Sequence, residues 1–288
     1  MNVLLTGATG FIGRNVAAAL AAAGHRMLPL SRRDGVDFAT RLAPDDWLPH
    51  LDGVDAVINS VGILAETSGQ SFKVVHTLAP AALFRACAEK GVPRVVQISA
   101  LGADGQAFSA YHRSKRAADD ELRSLDLDWF VLRPSLIYGR GGNSAALFMG
   151  VSALPVIPVV GDGRQRLQPV HIGDVVATVM HCLGCAETRL TLDLVGPESV
   201  TVADWLQRMR CAQGLSPAPW LQIPYAVAMA ITFAGRGVHP ILQPDNLRML
   251  QFGYAADTAP LAAFLGRAPL AARRSLFFAD AAGSGALP

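Results

Sequence analysis

Tyr111 and Lys115 stand four positions apart in Tyr111-His112-Arg113-Ser114-Lys115. On a helix that spacing puts both side chains on one face, one turn apart. A free tyrosine has a pKa of about 10 and trades protons reluctantly near neutral pH. An ammonium one turn away favours the phenolate. Lowering the phenol by ~3 pKa units takes ~4 kcal/mol of differential interaction. Water screens such an effect away, whereas a covered, low-dielectric site preserves it. Tyr111 then serves as general acid for carbonyl reduction, or as base for alcohol oxidation. Lys73, Lys90 and Lys115 are the chain's lysines, so one of few ammonium groups falls in this spacing.

Such chemistry needs a hydride donor or acceptor, and the amino terminus offers a place for one. Val3-Leu4-Leu5 reads as a short buried strand, Thr6 to Gly13 as a glycine turn, and the alanine-rich run from Arg14 as a helix. Gly7 and Gly10 let a phosphate approach the backbone, and Gly13 lets the helix pack on the strand. The helix start supplies unpaired N–H groups and partial positive charge for a pyrophosphate. About 20 positions on, NAD-binding chains place a carboxylate for the ribose 2′-hydroxyl. Here Ser31-Arg32-Arg33 stand instead. A hydroxyl and two guanidiniums suit a 2′-phosphate, so NADP(H) is expected over NAD(H).

His25 to Leu30 reads as the second strand, with Pro29 awkward inside it. Gly35-Val36-Asp37-Phe38 reads as a third, ending where Asp37 could take the adenine amino group. Ala56 to Gly62 is a fourth, running into Ser60, Val61 and Gly62 beside the cofactor. Phe72 to Lys90 is helical and stops at Gly91, Arg94 to Ser99 is a strand, Ala110 to Leu125 a helix, and Trp129 to Arg133 a strand. The alternation predicts an α/β fold, a Rossmann-type doubly wound parallel sheet with a smaller C-terminal substrate lobe. Residues 1–138 form the dinucleotide-binding domain, with about 165–195 returning to it; 139–288 are mainly the substrate-binding lobe. Later elements include Val170-His171-Ile172-Gly173-Asp174 leading into a helix that ends near Leu183, a strand over Leu190 to Val195, and a helix capped by Thr201 with Asp204. Residues from Ala279 on read as frayed.

These motifs resemble those of extended short-chain dehydrogenases/reductases. The resemblance rests on Thr6 to Gly13, including Thr9, Phe11 and Ile12, on Tyr111 with Lys115, and on Arg133-Pro134-Ser135-Leu136-Ile137-Tyr138-Gly139. Gln168 to Val175 and Gly196 to Thr201 extend it over nearly the whole chain. Val57 to Leu64, Ile98 to Ala103 and Pro244 to Leu250 are similar to the atypical subgroup around the nucleotide-binding accessory subunit of respiratory complex I. The resemblance implies cofactor contacts at Gly7, Thr9, Gly10, Phe11, Ile12, Gly13, Ser31, Arg32, Arg33, Asp37, Phe38, Ser60, Val61, Gly62 and Lys115. It also places Pro134 and Ser135 at the nicotinamide. The family's catalytic serine falls on Ser99 or on Ala100, and His76 stands where its asparagine is sought.

Hydrophobic residues make up 51% of the 288 residues and charged residues 17%, which suits a sizeable core. A formal net charge of +2 gives no reason to invoke nucleic acid. The strand beginning at Asn2 and the absence of a leader pattern point to a cytoplasmic protein without disulfides. Cys182 and Cys185 have C-x-x-C spacing but no second ligand pair, and read as buried helix-end cysteines. His171 reads as a packing residue and His112 as a surface one. Residues 211–235 carry no charge. They form either a buried helix or a peripheral contact with a membrane or a greasy partner. Two functions follow: an oxidoreductase acting on a small molecule, or a non-catalytic NAD(P)H-binding module docked on a membrane or a respiratory, quinone-related assembly.

Overall fold

The structure is a computed structural model describing residues 1–32, 35–235 and 243–284. It opens with β1 (Asn2–Thr6), α1 (Phe11–Ala22), β2 (Arg26–Leu30), β3 (Ala56–Asn59), α2 (Ala79–Lys90), β4 (Arg94–Ile98), α3 (Ala110–Ser124) and β5 (Asp128–Pro134). It continues with β6 (Ile137–Tyr138), α4 (Asn143–Ser152), β7 (Ile157–Val160), β8 (Arg166–Leu167), β9 (Val170–His171), α5 (Ile172–Gly184) and β10 (Leu190–Leu194). The described remainder holds β11 (Val200–Thr201), α6 (Val202–Ala212), β12 (Trp220–Ile223), α7 (Tyr225–Gly235), α8 (Pro244–Phe252) and α9 (Ala259–Leu265).

Six strands form one sheet in the order β10-β5-β4-β3-β1-β2. β1 pairs in parallel with β2 and β3, β3 with β4, and β4 with β5. Their carboxyl ends, Thr6, Leu30, Asn59, Ile98 and Pro134, therefore lie along one edge. The chain leaves β1 toward β2 and returns across it to β3, so the topological switch falls at the end of β1, where Gly7 sits. Leu4, Val57, Val95 and Val131 are fully buried and share a core with Ala82, Leu83, Phe84 and Cys87 of α2 and Ala118 and Leu122 of α3. Short continuous apolar runs are what a sheet with two covered faces requires.

Pro29 lies inside β2, opposite Leu5. β2 is the edge strand, so the missing N–H leaves no gap between paired strands. The third strand expected at Gly35 to Phe38 does not form. Asp37 Oδ1 accepts the Ala39 N–H at 3.0 Å and caps a 3-10 turn over Phe38–Thr40. Val36 and Phe38 are buried beside Trp47 and Leu51, so core packing holds this segment without a ladder. The expected helix from Phe72 also differs: Lys73–Leu78 is π-helical before α2 begins.

The chain divides into two compact units: Met1–Pro134 with Val175–Asp193, and Ser135–Asp174 with the described residues from Leu194 to Ser284. In the second unit Tyr138, Val200, Trp205, Met209 and Phe277 form a core. Thr201 caps α6 by accepting the Asp204 N–H at 3.0 Å. Of the segment expected to fray, 279–284 are described and 285–288 lie outside the described residues; the Ala279 carbonyl accepts the Arg140 N–H at 2.9 Å, and Ala281 is buried.

Candidate dinucleotide and proton-transfer site

The turn after β1 is built on contacts that exclude side chains. Gly7 has φ +71°, a left-handed conformation that favours glycine. Its N–H reaches the Leu30 carbonyl at 3.1 Å, and its carbonyl accepts the Gly10 N–H at 2.9 Å. A Cβ on Gly13 would lie 2.1 Å from the Gly7 oxygen, so α1 rests on the turn only because residue 13 is glycine. A Cβ on Gly7 would lie 2.9 Å from Ser60 Oγ, so that glycine makes room for the loop after β3. Gly10 caps α1 without a side-chain bond. The N–H groups of Phe11, Ile12 and Gly13 have no acceptor within the helix, and Thr9 and Gly10 are exposed beside them. Bare donors at a positive helix end form a cradle that fits a diphosphate.

Past β2, Ser31 is buried, its carbonyl accepts the Val36 N–H at 3.1 Å, and Arg32 is exposed. Arg33 lies outside the described residues. Asp37 spends one oxygen on its cap. Phe38 is buried and packs edge-on against Trp47 at 5.0 Å. Past β3, Ser60 Oγ donates to the Thr6 carbonyl at 2.7 Å, and Val61 N donates to Asn59 Oδ1 at 3.3 Å.

Lys115 passes beneath this loop. Its Nζ donates to the carbonyls of Val61 at 3.2 Å and Ile98 at 3.0 Å. A Cβ on Gly62 would stand 3.2 Å from that Nζ. One turn earlier, the half-buried Tyr111 ring meets Phe72, His76 and His112 with centroids at 5.8, 5.4 and 5.2 Å. Burial, then the negative charge of Asp119, push the phenol up to about 12. The expected lowering by Lys115 is thus not present in the protein alone, where burial and Asp119 both favour the neutral phenol. The same burial lowers Lys115 from the usual lysine range.

Asp119 is the site residue that the sequence conceals. It continues the row Tyr111, Lys115, Asp119 along α3 and is fully buried. Ser99 Oγ donates to its Oδ2. Asn59 Nδ2 donates to Gln97 Oε1 at 2.7 Å, and Thr6 Oγ1 to Asn59 Oδ1 at 2.7 Å. Burial raises the Asp119 carboxyl, while Ser99, Lys115, Arg123 and Gln97 oppose the rise. Ser99 therefore gives its hydroxyl hydrogen to the buried Asp119 side chain, while its oxygen keeps acceptor capacity. Pro134 is buried at the end of β5, and its carbonyl accepts the Leu101 N–H at 2.9 Å. Ser135 belongs to the second unit, where its hydroxyl donates to the Gln168 carbonyl at 2.5 Å.

His112 is buried, contrary to its expected surface place. Ser109, the N-cap of α3, accepts the His112 N–H at 3.1 Å, and its hydroxyl lies 2.9 Å from Nδ1. Burial holds that imidazole down to about 4. His171 is buried with its two ring nitrogens at Leu276 O, 3.1 Å, and Gly173 N, 3.0 Å. Cys182 is buried and Cys185 partly so; both are free thiols, and no metal-binding cluster occurs among the described residues. α7 leaves Val227, Ile231 and Phe233 about half exposed. Among the described residues no helix is long and apolar enough to cross a membrane.

Residues 3–189 match the model of the NAD dependent epimerase/dehydratase family. The ceramide reductase of Caulobacter vibrioides (strain NA1000 / CB15N) is 32% identical over 190 residues, which cover 62% of this chain and 59% of that protein. Mouse mitochondrial NADH dehydrogenase (ubiquinone) 1 alpha subcomplex subunit 9 is 31% identical over 186 residues, 59% of this chain and 49% of that protein. The matched regions therefore span between about half and three-fifths of these relatives. The crystal structure of human epimerase family protein SDR39U1 with NADPH superposes with a TM-score of 0.75 at 21% identity, covering 100% of this chain and 99% of that one. The sheet order, the glycine turn at the switch point and the matched family model lead to one conclusion: the chain belongs to the NAD dependent epimerase/dehydratase family and carries its NAD(P)-binding Rossmann fold.

Proposed function

We propose that this protein is an NADP(H)-dependent oxidoreductase acting on a carbonyl or hydroxyl of a small molecule, with Tyr111 moving the proton. The observation that carries the reading is the pair Tyr111 and Lys115 on α3, with Lys115 Nζ beneath the Gly62 loop. The backbone of Gly7 to Gly13 would hold the diphosphate, and Ser31, Arg32 and Arg33 the 2′-phosphate. When bound, NADPH supplies the hydride. An ammonium has three donors; Val61 and Ile98 take two of those on Lys115, leaving one for the nicotinamide ribose. With its phenol pushed up to about 12, Tyr111 is protonated near neutral pH, the form that a general acid needs. The Caulobacter relative named a ceramide reductase supports the same direction. Tyr111→Phe is the test: turnover is lost while NADPH binding stays.

A second reading is favoured by α7, whose Val227, Ile231 and Phe233 are exposed without a charged neighbour on the helix, and by the complex I subunit among the relatives. Here the protein holds NADPH and docks through that face on a membrane or a respiratory assembly. Flotation with phospholipid vesicles checks it. Protein rising with the vesicles, and Ile231→Glu remaining below, is the expected outcome; protein that never leaves the bottom fraction contradicts it.

A further inference from the structure

His76 sits in the π-helical turn Lys73–Leu78, fully buried, and stacks on Phe72 with centroids 5.3 Å apart. Its Nε2 lies 2.9 Å from the Ile63 amide nitrogen. An amide N–H can only donate, so Nε2 must present a lone pair. The ring proton then belongs to Nδ1, which faces Ser114 Oγ at 3.0 Å. Ser114 passes its own hydrogen to the Tyr111 carbonyl at 2.7 Å. Donation thus runs one way, from the Ile63 amide through His76 and Ser114 to the backbone of Tyr111. The next π-helical residue reinforces the junction: Thr77 Oγ1 donates to the Ser114 carbonyl at 2.8 Å. A π-turn, rare in itself and frequent at functional sites, is the element that carries both residues.

We infer that His76 is a positioning residue, a neutral imidazole of fixed tautomer that ties the Val61–Ile63 loop to the tyrosine helix. Dinucleotide binding against Gly62 and the placing of Tyr111 are thereby coupled; this coupling rests on the function proposed above, whereas the tautomer does not. His76 is not a proton shuttle. Moving a proton through the ring would set an N–H at Nε2 against the N–H of Ile63 and leave Nδ1 bare against a hydroxyl whose hydrogen is already given. The groups facing the ring fit a neutral state: the Lys115 ammonium, the Tyr111 phenol and the Phe72 ring. Burial and Lys115 hold the imidazole down to about 2.

Long-range 1H–15N correlation on the histidine-labelled full chain, with His76→Gln as the assignment control, reads the tautomer directly. The expected spectrum shows a protonated Nδ1 and a bare Nε2 for His76, unchanged between about pH 8 and pH 5. An Nε2–H tautomer, or titration within that window, overturns the clamp. NADPH titration followed by tryptophan fluorescence then reads the coupling. His76→Ala is expected to weaken binding about tenfold or more, the equivalent of ~1.4 kcal/mol. His76→Gln can still accept at one atom and donate from the next, and is expected to restore affinity to within about threefold. Equal losses in both variants, or none in His76→Ala, overturn the coupling. If the parent chain binds no NADPH, the coupling and the dinucleotide reading both fail, and the spectrum still decides the tautomer.

Discussion

Removing the hydroxyl of Tyr111 is expected to lower NADPH-dependent carbonyl reduction by about 10²- to 10⁴-fold, the span that a positioned general acid contributes. At about 1.4 kcal/mol per decade, this is roughly 3–5 kcal/mol of transition-state stabilisation. Phenylalanine keeps the ring contacts with Phe72, His76 and His112. The aromatic cluster, and with it the Lys115 contacts to Val61 and Ile98, should therefore persist. Single-turnover oxidation of bound NADPH in the presence of a carbonyl substrate separates this loss from binding. NADPH affinity within about twofold of the parent, with turnover gone, is the expected pattern. Retained turnover would remove Tyr111 from the chemistry. With the phenol pushed up to about 12, Tyr111 carries its proton near neutral pH.

Gly13→Ala is expected to be nearly as damaging, by another route. Its added Cβ would stand 2.1 Å from the Gly7 oxygen, 2.8 Å from the Gly7 carbonyl carbon and 2.9 Å from the Ala8 Cα. All three are backbone atoms, so no side chain can swing aside. Either α1 rises off the strand or the turn opens, and both displace the donors at Phe11 to Gly13. Overpacking of this kind costs about 1–3 kcal/mol of stability. NADPH affinity should fall by about 100-fold or more, ~2.7 kcal/mol at the least. Gly105→Ala is the control, since nothing lies within 4 Å of the Cβ it would add. A thermal melt and an NADPH titration on both variants check the difference; a Gly13→Ala protein that binds like the parent contradicts the cradle.

The parts of this site that were legible in the sequence are those where one residue type is forced by local geometry. Gly7 and Gly13 are needed because of a positive φ and a backbone contact, and Tyr111 and Lys115 because a helix repeats every turn. What stayed hidden depends on tertiary burial. Asp119 opens the run Asp119-Asp120-Glu121, which reads as a solvated helix face, yet Asp119 is fully buried while Asp120 is exposed. Only its spacing from Tyr111 and Lys115, one more turn along the same row, could have marked it. Gly35 to Phe38 has the composition of a strand, but an aspartate cap and the Phe38–Trp47 contact hold it in a turn. His112 follows Tyr111 directly, and α3 buries it because its own N-cap, Ser109, draws it inward. The π-turn at Lys73–Leu78 has no composition signal, since its residues also suit an α-helix.

On the function proposed above, the Rossmann unit holds NADP(H) at the end of β1 and reads its 2′-phosphate through Ser31, Arg32 and Arg33. Calorimetric titration of the full chain with NADPH and, in parallel, with NADH decides it. One saturable site per chain and at least about tenfold tighter binding of NADPH are expected, ~1.4 kcal/mol for the added phosphate contacts. NADH binding as well as NADPH, or neither dinucleotide saturating, would contradict it.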